Sequence, residues 1–194
     1  MATAVDGLRA EKIAAIVCGT LAQRTAASRQ ALAAIRAALP GVPVFYDVNL
    51  RGRETPLERV RETMPGVTIL KINREEAEAV SQGVFGRAWA PQELFAGLRD
   101  RYGVSLMLCT LGAEGCAVFA DGVAFTRRAE PVEVASAVGA GDAFSAAFLA
   151  SWVKGLALET AAANANTLGG FVAASPETVP DYPTELLARL PGLR

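Results

Sequence analysis

The chain has 194 residues, 52% of them hydrophobic and 20% charged, enough to bury a sizeable core and unlike the composition of a disordered chain. Its 19 basic and 20 acidic residues nearly cancel, which leaves no electrostatic footprint for nucleic acid or for an anionic membrane. It has no histidine, so Ser-His and Cys-His nucleophile pairs and histidine metal sites are excluded, while oxygen ligands remain available.

In chain order, Met1 to Ala10 shows no charged region leading into an apolar one, and no apolar run reaches membrane-spanning length, so the expected setting is cytoplasmic. Ile13 to Cys18, closed by Gly19-Thr20, predicts a buried strand. Leu32, Ile35 and Leu39 share one stripe and predict a helix over Ala26 to Leu39, ending at Pro40-Gly41. Val42 to Val48 is strand-like again, and strand, helix, strand is a parallel crossover unit. The polar segment Arg51 to Arg61 reads as a surface loop entering a helix near Pro56 to Thr63. A strand at Val67 to Ile72 follows, then a helix beginning near Arg74, a longer loop over Gly83 to Pro91, a helix over Pro91 to Tyr102 and a strand at Val104 to Cys109. Gly115 to Ala120 and Val123 to Thr126 flank Asp121-Gly122, a dipeptide suited to a tight hairpin. Beyond Gly141 the pattern is helical, with alanine-rich Leu156 to Ala174 and a last helix near Pro183 to Leu190.

No repeat or composition shift marks a boundary, so residues 1–194 read as one α/β domain with a mostly parallel sheet. The three cysteines, Cys18, Cys109 and Cys116, sit in apolar strand-like runs without ligand spacing and read as buried thiols of a reducing compartment.

Ligands of open parallel sheets bind beyond the carboxyl ends of the strands, which directs attention to the polar residues found there. They are Asp47, Asn49 and Arg51; Asn73 and Glu76; Thr110, Gly112 and Gly115; and Gly139-Ala140-Gly141-Asp142, where a loop turns into a helix. Each also has a purely structural reading. Asp47 and Asn49 can terminate a strand, Asn73 and Glu76 have capping-box spacing, Thr110 to Gly115 can be an ordinary glycine turn, and Asp142 can cap its helix. Against those readings, the Gly139 to Asp142 turn offers unpaired amides and a helix dipole to an anion such as phosphate.

Taken in order, these segments resemble the ribokinase-like, or PfkB, carbohydrate kinases, most closely their fructokinase and 2-keto-3-deoxygluconate kinase branch. Asp47-Val48-Asn49-Leu50-Arg51 is similar to the family's Asp-x-Asn-x-Arg segment and Asn73 to Glu76 to its Asn-x-x-Glu motif. Thr110 to Gly115 is similar to its nucleotide-side turn, and Gly139 to Asp142 to its Gly-Ala-Gly-Asp signature. The resemblance runs from about Ala14 to Pro183, and the stretch holding Asn166, Ser175 and Pro176 resembles the adenine-side helix and loop. It implies a ribokinase-like three-layer sandwich that transfers the γ-phosphoryl group of ATP to a sugar or sugar-acid hydroxyl. In that scheme Asp142 is the general base and the Gly139, Ala140 and Gly141 amides form the anion hole. Asp47, Asn49 and Arg51 meet the sugar, Thr110, Gly112, Gly115, Asn166 and Ser175 meet the nucleotide, and Asn73 and Glu76 hold Mg²⁺ through water.

Departures from the pattern shape the expectation. Ser136 and Ala137 stand where the family carries Asp-Thr, and Glu177-Thr178 where it carries Gly-Ala after Pro176. No counterpart of the family's N-terminal strands, sugar-binding glycine pair and β lid precedes Ile13, so the chain is expected to be the ATP-side portion of the fold. A sheet edge left exposed would then favour self-association. Two other classes fit parts of the pattern. A nucleotide-binding or interaction remnant of a kinase would keep the Gly139 turn without turnover. A dinucleotide oxidoreductase would use Gly139-x-Gly141, but Phe144 occupies the place of its third glycine.

Overall fold

The computed structural model describes Gly7 and residues 12–52 and 55–193. The lead-in Met1 to Ala10, apart from Gly7, and Arg53-Glu54 of the expected surface loop lie outside the described residues. Strands and helices follow one another as β1 (Ile16–Gly19), α1 (Ala26–Ala38), β2 (Val44–Asp47), α2 (Leu57–Thr63), β3 (Ile69–Asn73), α3 (Arg74–Phe85), α4 (Pro91–Tyr102), β4 (Leu106–Thr110), β5 (Cys116–Ala120), β6 (Val123–Arg127), α5 (Ala140–Val153), α6 (Leu158–Ala173) and α7 (Thr184–Ala188). The strands form one six-stranded sheet in sequence order, β1-β2-β3-β4-β5-β6. Pairing of β1 with β2 and of β2 with β3 is parallel. Among the described residues no helix is long and apolar enough to cross a membrane.

The described chain falls into two compact units, and β5 supplies residues to both: Cys116 to Val118 to the second, Phe119 and Ala120 to the first. The first unit holds β1 to β3, β4 as far as Cys109, and α1 to α4. Its strands are mostly apolar, as buried parallel strands are, and Phe45, Tyr46, Ile69, Leu70, Ile72, Met107 and Leu108 are almost wholly removed from water, while Val17 of β1 is exposed. Val60 and Met64 around α2, Val80 of α3, and Leu94 and Leu98 of α4 are equally buried.

The first four strands start two or three residues later than the apolar runs suggest, and β2 supplies the reason. Pro43 has no N–H to give a ladder, so regular pairing begins at Val44, whose register partner on β1 is Ile16. Ile13 and its neighbours therefore have no strand opposite them. The structure also corrects the expected loop at Gly83 to Pro91, because α3 continues through Gly83 to Phe85. The Leu57 side chain of α2 packs where a Cβ on Gly83 would stand, 2.8 Å away, and Phe85 stacks on Trp89 with ring centroids 4.1 Å apart. Thr55, expected on a surface loop, is buried, and its hydroxyl accepts the Arg51 N–H.

The second unit is mainly the helix pair α5 and α6, which pack on each other, with α7. Ala143, Ala147, Leu168, Val172, Leu186 and Leu190 form its core. Small residues set the helix separation. A Cβ on Gly169 of α6 would stand 3.1 Å from the Ala140 carbonyl at the start of α5. The β5–β6 hairpin turns at Asp121-Gly122 as the dipeptide predicts.

Candidate functional site

In the first unit the candidates lie on the segment that leaves β2 and on the helix start that follows β3. Asp47 is not a free carboxylate. Both of its oxygens accept from the Lys71 ammonium, at 3.1 and 2.9 Å, and Lys71 is its register partner on β3. Both residues are buried, so this is a strand-to-strand ion pair held largely away from water. Lys71 is not among the sequence-predicted site residues; the signal for it is a lone cation inside the apolar run Val67 to Ile72.

Asn73 and Glu76 adopt the capping box that their spacing predicts. The Asn73 side chain accepts the Glu76 N–H and the Glu76 carboxylate accepts the Asn73 N–H, both at 2.8 Å. The remaining Glu76 oxygen accepts the Leu50 N–H at 2.7 Å, a contact between residues 26 apart in sequence. Glu76 thereby spans from the start of α3 to the Asp47-to-Arg51 segment. On that segment Asn49 has φ 40°, the single described non-glycine residue with positive φ. The Asn49 side chain and the exposed Arg51 guanidinium make no hydrogen bond to other described residues. The segment is further held by Val48, whose N–H donates to Lys71 O at 3.0 Å and whose carbonyl accepts the Thr20 hydroxyl. With its proton so used, Thr20 Oγ1 accepts from the Tyr46 hydroxyl at 2.6 Å, and burial raises the Tyr46 pKa well above its ordinary value.

In the second unit Gly139 is the N-cap of α5, with φ 88°. A Cβ there would fall 2.5 Å from the Thr178 carbonyl, so both the backbone angle and the space demand glycine. Asp142 lies in the first turn and not at the cap position, and its side chain makes no capping hydrogen bond. Among the described residues this exposed carboxylate has no hydrogen-bond or ion-pair partner. The first-turn amides point out of the helix start without intrahelical acceptors, which favours an anion.

Beside this turn is a cavity of about 510 Å³, within the range of small-molecule sites. It brings together Thr110, Gly112, Gly115, Ala140, Gly141 and Asn166 of the candidates, with Pro131, Val132, Val134 and Phe144 as its apolar wall. Gly139, Asp142 and Ser175 are not among its lining residues. Gly115 has φ 101°, and a Cβ on it would meet the Arg127 carbonyl at 2.1 Å. The same carbonyl accepts the Asn166 side-chain amide at 2.9 Å, so Asn166 ties α6 to the end of β6. Ser175 accepts the Glu177 N–H at 3.1 Å in a local turn. Ser136 accepts the Val138 N–H at 3.3 Å on the approach to Gly139.

Among the described residues no cluster of three or more acidic or cysteine side chains could hold a metal directly. Cys18, Cys109 and Cys116 are buried and form no disulfide among the described residues, and burial pushes Cys18 and Cys109 up to about 11. They are not poised as nucleophiles.

Comparison with known proteins gives these arrangements a context. An uncharacterized sugar kinase of Archaeoglobus fulgidus is 29% identical over 131 residues, covering 68% of this chain and 48% of that protein. Fructokinase-1 of Oryza sativa subsp. japonica is 27% identical over 164 residues, covering 75% of this chain and 47% of that protein. Aminoimidazole riboside kinase from Salmonella enterica, solved with aminoimidazole riboside and an ATP analogue, has a TM-score of 0.76 at 23% identity over 90% of this chain and 61% of that one. Fructokinase from Vibrio cholerae O395, solved with fructose, ADP and calcium ion, has a TM-score of 0.76 at 21% identity over 90% of this chain and 59% of that one. These likenesses show a ribokinase-like fold. The chain spans about half the length of the curated relatives it matches and about 60% of the solved chains. The family model described as pfkB family carbohydrate kinase matches residues 7–185, and with the fold it shows that the chain belongs to the PfkB family of carbohydrate kinases.

Proposed function

We propose that this chain provides the nucleotide side and catalytic turn of an ATP-dependent kinase that phosphorylates a hydroxyl of a sugar or sugar acid. The observation that carries the reading is the glycine-capped start of α5, which lines the cavity through Ala140 and Gly141 and carries the unpartnered Asp142 carboxylate in its first turn. Phosphoryl transfer asks a protein mainly for positioning and charge stabilisation. The Gly139, Ala140 and Gly141 amides would stabilise charge on the transferring group, and Asp142 would accept the hydroxyl proton as it becomes acidic in the transition state. Thr110, Gly112, Gly115 and Asn166 would hold the nucleotide in the cavity, with Ser175 on the following turn. Asn49 and Arg51 carry the polar groups available to the acceptor, with Asp47 anchoring their segment through Lys71. Both oxygens of Glu76 are taken by backbone amides, and the lone pairs that remain suit a water more than a direct metal bond. A hydrated Mg²⁺ held through water by Asn73 and Glu76 would, when bound, neutralise phosphate charge.

The test is coupled measurement of ADP release with fructose, 2-keto-3-deoxygluconate and ribose as acceptors. Asp142→Ala is expected to lower acceptor-dependent ADP release by about 10²–10⁴-fold while ATP affinity stays nearly unchanged. Equal turnover by the variant would refute the base assignment. ATP binding without acceptor-dependent ADP release in the unaltered chain would favour a nucleotide-binding module instead.

A further inference from the structure

Glu76 makes more contacts than a cap requires. Asn73 and Glu76 alone complete the capping box, yet the second carboxylate oxygen is spent on Leu50, in the segment between β2 and α2. The backbone amides of that segment are held one after another. Val48 donates to Lys71 O, Leu50 to Glu76, and Arg51 to the buried Thr55 hydroxyl. Asn49, between two of these anchors, is left without an acceptor for its own N–H among the described residues and takes the left-handed conformation. Asparagine tolerates such a conformation better than most side chains, and the anchored amides on either side hold Asn49 in it. The two anchors after it set the directions in which Asn49 and Arg51 leave the backbone.

We infer that Glu76 is a positioning residue: its carboxylate clamps the Leu50 amide and so fixes Asn49 and Arg51 for the acceptor, beyond any water-mediated contact to an ion. The acceptor part rests on the kinase reading above; the clamp itself does not. A carboxylate can accept both backbone N–H groups, whereas the glutamine of Glu76→Gln offers one oxygen and an amide nitrogen that cannot accept. One of the two amides therefore loses its partner.

The experiment compares amide hydrogen exchange and kinetics in the whole chain. In the unaltered protein the Leu50 amide is expected to exchange at least about tenfold more slowly than the Asn49 amide, after correction for intrinsic rates, because a hydrogen bond to a charged acceptor protects it. Glu76→Gln is expected to erase most of that difference and to raise the acceptor KM about tenfold or more at saturating Mg²⁺, with a smaller change in kcat. Thr55→Val leaves Glu76 untouched but removes the Arg51 anchor, and it is expected to raise the acceptor KM in the same sense. Equal exchange of Leu50 and Asn49 in the unaltered chain overturns the clamp. So does a Glu76→Gln effect confined to the Mg²⁺ requirement, or a Thr55→Val variant with unchanged acceptor KM. If the unaltered chain shows no acceptor-dependent turnover, the kinase reading fails and the exchange comparison still decides the clamp. If Glu76→Gln does not fold, the Leu50-to-Asn49 ratio and Thr55→Val decide it.

Discussion

At the scale of single residues, the strand-end carboxylates differ in how much of their chemistry is already spent. Asp142 is unpartnered among the described residues, Glu76 is committed to backbone amides, and Asp47 is committed to Lys71. The Asp47–Lys71 pair is buried on both sides, so removing one partner leaves the other charge in a poorly solvating place. Lys71→Met is expected to destabilise the protein by about 3–5 kcal/mol in urea denaturation, and adding Asp47→Leu to recover most of that loss. A single-variant loss below about 1 kcal/mol, the value of a surface pair, would mean that water reaches the site. The same residues mark what a sequence can disclose. Asn73 and Glu76 are three positions apart, so their mutual cap was readable from spacing. The Glu76–Leu50 and Asp47–Lys71 contacts join residues 26 and 24 positions apart; no local pattern points to the first, and only a lone cation in an apolar run points to the second.

At the scale of elements, glycine positions separate the turns that must stay as they are from those that can give. Gly139 at the start of α5 and Gly112 beside the cavity both have positive φ, but a Cβ on Gly139 meets the Thr178 carbonyl at 2.5 Å and a Cβ on Gly112 meets nothing. Gly112→Ala is expected to cost only the backbone term, about 1–2 kcal/mol. Gly139→Ala must also displace the 178 backbone and is expected to cost more than this, toward about 3 kcal/mol. Thermal melts of the two variants check the difference, and equal shifts would mean that the Thr178 segment moves freely. The helix starts were legible because caps and prolines are local: Thr25 accepts the Ser28 N–H before α1, and Pro91 opens α4. The run of α3 through Gly83 was not, because the space that glycine vacates is filled by Leu57 from a different helix.

At the scale of the whole molecule, the question is whether the two compact units unfold together, as expected of one domain. The thiols report on this, since Cys18 and Cys109 belong to the first unit and Cys116 to the second. All three are buried, so in the native protein at pH 8 they should resist a thiol reagent until the chain opens. Two strands, β4 and β5, divide their residues between the units, and opening either unit strips these strands of part of their packing. The three thiols are therefore expected to become reactive over the same urea range, followed by mass spectrometry of each labelled peptide. Labelling of Cys116 at clearly lower urea than Cys18 would show that the units unfold separately. The pH dependence follows from the same burial. The Cys18 and Cys109 thiols ionise near 9.0 in the unfolded chain and near about 11 in the folded one. Between those values the unfolded state holds fewer protons, so stability is full below about pH 9 and falls as pH rises toward 11, with the raised Tyr46 adding to the loss at higher pH. Urea midpoints that stay level from pH 8 to about 10.5 would contradict this, since they would require the thiols to ionise equally well in both states.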